Sequence, residues 1–128
     1  MKQKTIAVIG LGLIGGSFAK AFKQYTNHTI IVFNRTRSTA EKALEEGVID
    51  KIGTPENLKE ADIILLSMYP KVSCDFIEEH LDALKPGCII TDDCGVKTYM
   101  AERLVPLCRE HGLHYVGGHP MAGREVSG

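Results

Sequence analysis

The sequence predicts an α/β fold built on a doubly wound, mostly parallel sheet. Three observations carry this. Short apolar runs of the kind buried on both faces recur along the chain, and stretches with a helical apolar face separate them. A glycine cluster sits at the junction of the first run and the first helical stretch. Strands alternating with helices in this way form a parallel sheet covered on both sides.

Thr5 to Ile9 is the first strand, a run of β-rich apolar residues. After the glycines, Ile14, Phe18, Ala21, Phe22 and Tyr25 recur at i, i+4, i+7, i+8 and i+11, with Lys20, Lys23 and Gln24 on the opposite face. Thr29 to Phe33 is the second strand. Ser38 with Glu41 reads as a capping box opening a helix that ends at Gly47. Thr54-Pro55 starts a short helix, with Pro at the first position, where its missing N–H is harmless. Asp62 to Ser67 is a further buried strand, and Phe76, Ile77, Leu81 and Leu84 mark the helix that stops before Lys85-Pro86-Gly87. Cys88 to Thr91 is the next strand. Met100, Leu104, Leu107 and Cys108 line a helix that Pro106 is expected to bend or split. His114 to Val116 is the last strand.

With 128 residues, 44% of them apolar and 24% charged, the chain is one ordinary domain able to bury a core. The net charge of −1 argues against nucleic-acid binding, which needs a basic excess or patch. No run reaches the ~18 apolar residues of a spanning helix. Lys2 and Lys4 ahead of Ile6-Ala7-Val8-Ile9 imitate a signal peptide, but Gly10, Gly12, Gly15 and Gly16 interrupt the apolar stretch, which continues as a helix. Cys74, Cys88, Cys94 and Cys108 contain no CxxC pair, so they are expected to be free thiols in a reducing cytosol and not a zinc site. A cytoplasmic protein is expected.

Gly10-Leu11-Gly12-Leu13-Ile14-Gly15 matches G-x-G-x-x-G in the context that pattern requires, directly after a strand and opening a helix. Gly10 permits a tight turn, Gly12 lets the backbone approach a pyrophosphate, and Gly15 lets helix and strand pack closely. Leu13 and Ile14 lie within the same turn, and the helix N-terminus offers free N–H groups and a positive dipole. Glycines would also serve a plain βα turn, but strand, helix and position agree on a Rossmann-type NAD(P)-binding domain. About 20 residues on, NAD enzymes carry an acid for the ribose 2′-OH. Here that position is Asn34, followed by Arg35-Thr36-Arg37-Ser38. Two arginines and two hydroxyls with no acid suit a 2′-phosphate, so NADP is expected over NAD. Ser67 at a strand end, with Asp93 and Gly95 in the loop after the following strand, completes the expected cofactor contacts.

Two further loops fall at the same edge of the sheet. Asp92-Asp93-Cys94-Gly95-Val96-Lys97 follows one strand, and Gly117-Gly118-His119-Pro120-Met121-Ala122-Gly123-Arg124-Glu125 follows the last. Ligands bind outside the carboxyl ends of parallel strands, where a histidine can move a proton near neutral pH. The remaining histidines carry little signal. His111 is placed on an apolar face near a helix C-terminus in a structural role, and no metal-ligand set is found among His28, His80 and His114.

These blocks resemble the prephenate/arogenate dehydrogenase family: VIGLGLIGGSFAKAF at 8–22, DDCGVK at 92–97 and VGGHPMAGREVSG at 116–128. The resemblance covers the family's N-terminal nucleotide-binding domain, here 1–128. The chain stops in mid-loop, so the family's C-terminal helical dimerisation domain is expected to be absent, and a homodimer is expected only with it. The resemblance implies oxidative decarboxylation of prephenate or arogenate in tyrosine biosynthesis. It also implies that His119 accepts the hydrogen bond of the ring hydroxyl while hydride leaves the same carbon for the nicotinamide. Lys97 matches the family lysine and is the second catalytic candidate. Cys94, Gly95, His119, Arg124 and Glu125 are the substrate-side candidates. The family block reads D-x-G-S-V-K, whereas this chain has Gly95 where the serine stands. Two other readings are another β-hydroxyacid-type NADP oxidoreductase, against which GGHPMAG argues, and a non-catalytic NADP(H)-binding module.

Overall fold

The computed structural model of the protein describes residues 4–10, 13–34, 36–92 and 97–117. Six strands form one parallel sheet: β1 (Thr5–Ile9), β2 (Thr29–Phe33), β3 (Lys51–Ile52), β4 (Ile63–Leu66), β5 (Ile89–Asp92) and β6 (His114–Val116). Four helices accompany them: α1 (Leu13–Tyr25), α2 (Arg37–Glu45), α3 (Pro70–Glu79) and α4 (Lys97–Glu110). The strand order is β3-β2-β1-β4-β5-β6. The chain therefore winds outward from β1 to β3, returns to lay β4 beside β1, and winds outward the other way. A crevice opens where the direction reverses, beyond the carboxyl ends of β1 and β4.

Alternation along β1 explains why both faces are covered. Ile6 and Val8 point into one core with Ala19, Ile30, Val32, Ala40, Ile49 and Leu65. Ala7 and Ile9 point into the other, with Ile64, Leu66, Cys74, Ile77, Ile90, Met100 and Leu104. A one-residue slip of β1 would exchange the two sets, so its register with β2 (Val8 opposite Val32) and β4 (Val8 opposite Leu65) is fixed by packing on both sides.

Several expected details are corrected. Ser38 does not cap α2, because the helix already begins at Arg37 behind Thr36. Glu41 pairs with the Arg37 Nε at 3.0 Å instead, the i,i+4 ion pair replacing the box. The helix after β4 begins at Pro70 and ends at Glu79, and Leu81 lies in a separate short 3₁₀ turn, Leu81–Ala83. Pro106 does not split α4. It lies on the exposed side, where the carbonyl it leaves unbonded can be hydrated, while Met100, Leu104 and Cys108 hold the buried side. The Asp62–Ser67 strand narrows to Ile63–Leu66, and the Cys88–Thr91 strand shifts to Ile89–Asp92. The two-residue β3 was not anticipated; it is too short for a periodic pattern to register.

At the amino edge of the sheet Asp62 joins three strands. Its carboxylate accepts the Thr5 N–H at 2.9 Å and pairs with Lys85, and its carbonyl accepts the Ile89 N–H at 3.0 Å. Lys85, and then the Thr5 N–H, hold this carboxyl below its ordinary 3.8. A depressed carboxyl contributes stability above its unfolded value and loses it as the pH falls through the folded one. Asp62→Asn should therefore cost about 1 kcal/mol at pH 7, a figure kept small because both partners are partly exposed. In urea melts the gap to wild type should shrink below pH 3.8; a gap that stays constant to pH ~3 would refute this linkage.

Candidate functional site

The three strand ends nearest the crevice are tied together at Gly10. Its N–H donates to the Phe33 carbonyl at 2.7 Å, and the Ser67 N–H donates to the Ile9 carbonyl at 2.9 Å. Gly10 has φ +95°, and a Cβ there would lie 2.7 Å from Met68 Cγ and 3.1 Å from the Ser67 carbonyl oxygen. The first glycine of the motif is thus required both by conformation and by close approach to the β4 end. Helix α1 starts three residues later, and its first turn holds no acidic residue to offset its positive end. Leu13, Ile14 and Gly15 form that first turn.

Beside the turn lies an open cavity of about 550 Å³ lined by Ile9, Phe33, Asn34, Gly53, Met68, Val72, Asp75, Phe76 and Glu79. Phe33 and Phe76 meet edge to face with centroids 6.1 Å apart. Val72, Asp75, Phe76 and Glu79 are one face of α3, at i, i+3, i+4 and i+7. Asp75 is neutralised within the protein: it accepts from Lys71 Nζ and from Arg103 Nη1, both at 2.9 Å. Lys71, and next Arg103, draw its carboxyl below the usual range. Arg103 also bonds the Tyr99 hydroxyl at 3.2 Å and Glu78 at 3.4 Å, fastening α4 to α3.

At the end of β2, the Asn34 side-chain amide donates to the Thr36 carbonyl at 2.8 Å, closing the turn into α2. Thr36 precedes that helix, and Arg37 stands in its first turn, exposed and paired with Glu41. Gly10, Asn34, Thr36, Arg37 and Ser67 therefore all follow the carboxyl ends of β1, β2 and β4 at one edge of the sheet, and Asn34 lines the recess. Lys97 is the first residue of α4. Gly12, Arg35, Asp93, Cys94, Gly95, His119, Arg124 and Glu125 lie outside the described residues.

Sequence reasoning missed the apolar walls of the cavity. The available signal was the second stripe on α3, where Val72 and Phe76 sit off the buried Ser73, Cys74 and Ile77 face. It also missed Asp92. This last residue of β5 is fully buried, and the Tyr115 hydroxyl donates to its carboxylate. The bond ties the starting points of the 93–96 and 118–128 segments, each of which carries site candidates.

Three of the described histidines make local hydrogen-bonding contacts. His28 Nδ1 accepts the Lys4 N–H at 3.0 Å, and His80 Nδ1 lies 2.7 Å from the Phe76 carbonyl. His111 Nδ1 lies 2.9 Å from the Leu107 carbonyl at the end of α4; it is exposed, and not on an apolar face as expected, because the chain turns outward there. Cys74, Cys88 and Cys108 are buried free thiols. Burial raises all three above the ordinary thiol value, Cys88 to about 12, so none is a ready nucleophile. Among the described residues no group of three or more His, Cys, Asp or Glu could hold a metal ion, and no helix is long and apolar enough to cross a membrane.

Residues 18–128 match the model of the prephenate dehydrogenase nucleotide-binding domain. A prephenate dehydrogenase of Lactococcus lactis is 34% identical over 98% of this chain, which spans 36% of that protein. The crystal structure of Synechocystis arogenate dehydrogenase superposes with a TM-score of 0.81 at 36% identity, covering 91% of this chain and 40% of that one. Prephenate dehydrogenase from A. aeolicus, in complex with hydroxyphenyl propionate and NAD+, has a TM-score of 0.79 at 26% identity, covering 100% and 45%. The chain thus spans less than half the length of each of these relatives.

Proposed function

The chain belongs to the prephenate dehydrogenase family as its nucleotide-binding domain, and from that premise we propose that it binds NADP in preference to NAD. We propose further that it is the cofactor-binding part of an enzyme that oxidatively decarboxylates prephenate or arogenate. One observation carries the reading: a mostly apolar recess of about 550 Å³, lined by Ile9, Phe33 and Met68, at the point where the sheet reverses direction and next to Gly10 in the chain. The recess suits a purine ring, and the open N-terminus of α1 suits a pyrophosphate. The β2–α2 turn offers Asn34, Thr36 and two arginines to a 2′-phosphate, with no carboxylate from Asn34 to Ala40 to repel it. Arg37 can leave Glu41 for phosphate, since both side chains are well exposed and such pairs are weak.

When bound, the nicotinamide supplies the hydride acceptor. The protein's part is alignment and proton handling. His119 holds the ring hydroxyl and takes up its proton as hydride leaves the same carbon. Loss of CO2 then aromatises the ring, and the proton returns to the phenol oxygen. Lys97, first residue of α4, is the second catalytic candidate, and Cys94, Gly95, Arg124 and Glu125 are the substrate-side candidates, with backbone N–H groups or Cys94 in place of the family serine absent at Gly95. The stretch spans less than half the length of its relatives, so its assigned part is the cofactor-binding one.

Calorimetric titration of the chain tests this directly. NADP+ should bind roughly tenfold or more tightly than NAD+, the ordinary worth of a charge-assisted phosphate contact. Equal or tighter NAD+ binding would overturn the 2′-phosphate assignment, and rapid turnover of prephenate by this chain alone would overturn its assigned part.

A further inference from the structure

Asp92 breaks the pattern of its own sheet face. Side chains alternate along β5, so Asp92 shares a face with Ile90. Tyr115 stands opposite Ile90 in the β5–β6 register and belongs to that face too. The face is otherwise apolar: Ile90, Met100 and Leu104 are fully buried in its core, and Tyr115 packs against them. Asp92 is 0% exposed, and among the described residues it is the one acidic side chain so deeply buried. Burying a carboxylate is unfavourable where an apolar residue would simply extend the core. The Tyr115 hydroxyl offsets this by donating to Asp92 Oδ2 across the two strands. That hydroxyl also lies against the chain as it leaves β6, since a Cβ added at Gly117 would stand 3.6 Å from it. Lys97 comes five residues after Asp92, and His119 comes four after Tyr115.

We infer that Asp92 and Tyr115 are positioning residues. Their bond fixes the spacing of the β5 and β6 ends at which the nicotinamide half of the dinucleotide is received, without touching the ligand. The inference rests on the dinucleotide reading above and adds to it the device that orders the second half of the site. That reading puts the 2′-phosphate at the β2–α2 turn and the pyrophosphate at the Gly10 turn. The remaining half of the ligand then crosses the reversal to the β4–β5–β6 side. A directional, charge-assisted bond holds two strand ends in one arrangement, and a site ordered in advance binds more tightly than one that must be ordered by its ligand.

The test titrates the folded chain with NADP+ and with adenosine 2′,5′-bisphosphate, which keeps the half placed on the β2 side and lacks the nicotinamide half. Tyr115→Phe removes the donor and keeps the ring that packs on the core. It should bind NADP+ about tenfold more weakly than wild type, while its affinity for the bisphosphate stays within about twofold. A merely structural loss would weaken both ligands together, so the split between them is the readout. Asp92→Asn keeps an acceptor for the hydroxyl without the charge and places less burden on the fold. It should show the same split at about threefold, and it carries the test if Tyr115→Phe does not fold. Equal losses toward both ligands, or no loss toward either, overturn the inference and leave the dinucleotide reading standing. Binding of neither ligand by wild type overturns both.

Discussion

Replacing His119 with Asn should lower turnover about 10²–10⁴-fold, the usual worth of a positioned general base. The measurement belongs in a protein that joins this domain to the family's C-terminal portion. His119 comes three residues after β6, whose Val116 pairs with Thr91 of β5. Asparagine keeps the size and a hydrogen-bonding side chain but cannot take up the proton. Affinity for NADP+ should therefore stay within about twofold while kcat falls, because the interaction lost belongs to the transition state. The pH profile adds a second readout. A histidine acting as base gives an activity limb that rises as the imidazole loses its proton, and the limb should vanish in the variant. Full activity, or an unchanged acid limb, would remove His119 from the base role.

Most of the fold was legible because its signals are local. β1, β2 and β6 are legible with the observed bounds, β1 and β2 because each is an apolar run between turn residues. The strand order was legible only as a class, because nothing in β4 says it returns to lie beside β1. The corrections share one physical cause. Competing contacts at element ends decided boundaries that propensity left open: Arg37 drew Glu41 from the expected box, and the buried side of α4 overrode Pro106. In the site, the glycine turn was readable because its pattern is contiguous. The recess was not, because its walls come from β1, β2, the Gly53 turn, Met68 and α3, and half-exposed apolar residues look like ordinary surface until the elements are placed. Asp92 and Tyr115 escaped for the same reason, as they are 23 residues apart and meet only across β5 and β6.

Gly10→Ala should be strongly damaging, because it joins an unfavourable backbone conformation to a collision at the crevice. Two costs act together. Alanine at φ +95° is strained by ~1–2 kcal/mol, and the new Cβ would stand 2.7 Å from Met68 Cγ and 3.1 Å from a backbone oxygen of Ser67. The Met68 side chain can give way, but the Ser67 carbonyl cannot without loosening the bond from its N–H to Ile9. A total loss of about 2–4 kcal/mol follows. Gly47 provides the control, since its φ of +76° carries the same conformational strain but nothing lies within 4 Å of a Cβ there. Gly47→Ala should lose only ~1 kcal/mol and bind NADP+ as wild type does. Gly10→Ala should also lose at least ~10-fold in NADP+ affinity, because the turn that presents the α1 N-terminus is displaced. Urea melts and titrations of the two variants separate the strain from the collision. Equal destabilisation of both would mean that Met68 and Ser67 absorb the methyl freely, and unaltered binding by Gly10→Ala would place the pyrophosphate elsewhere than over this turn.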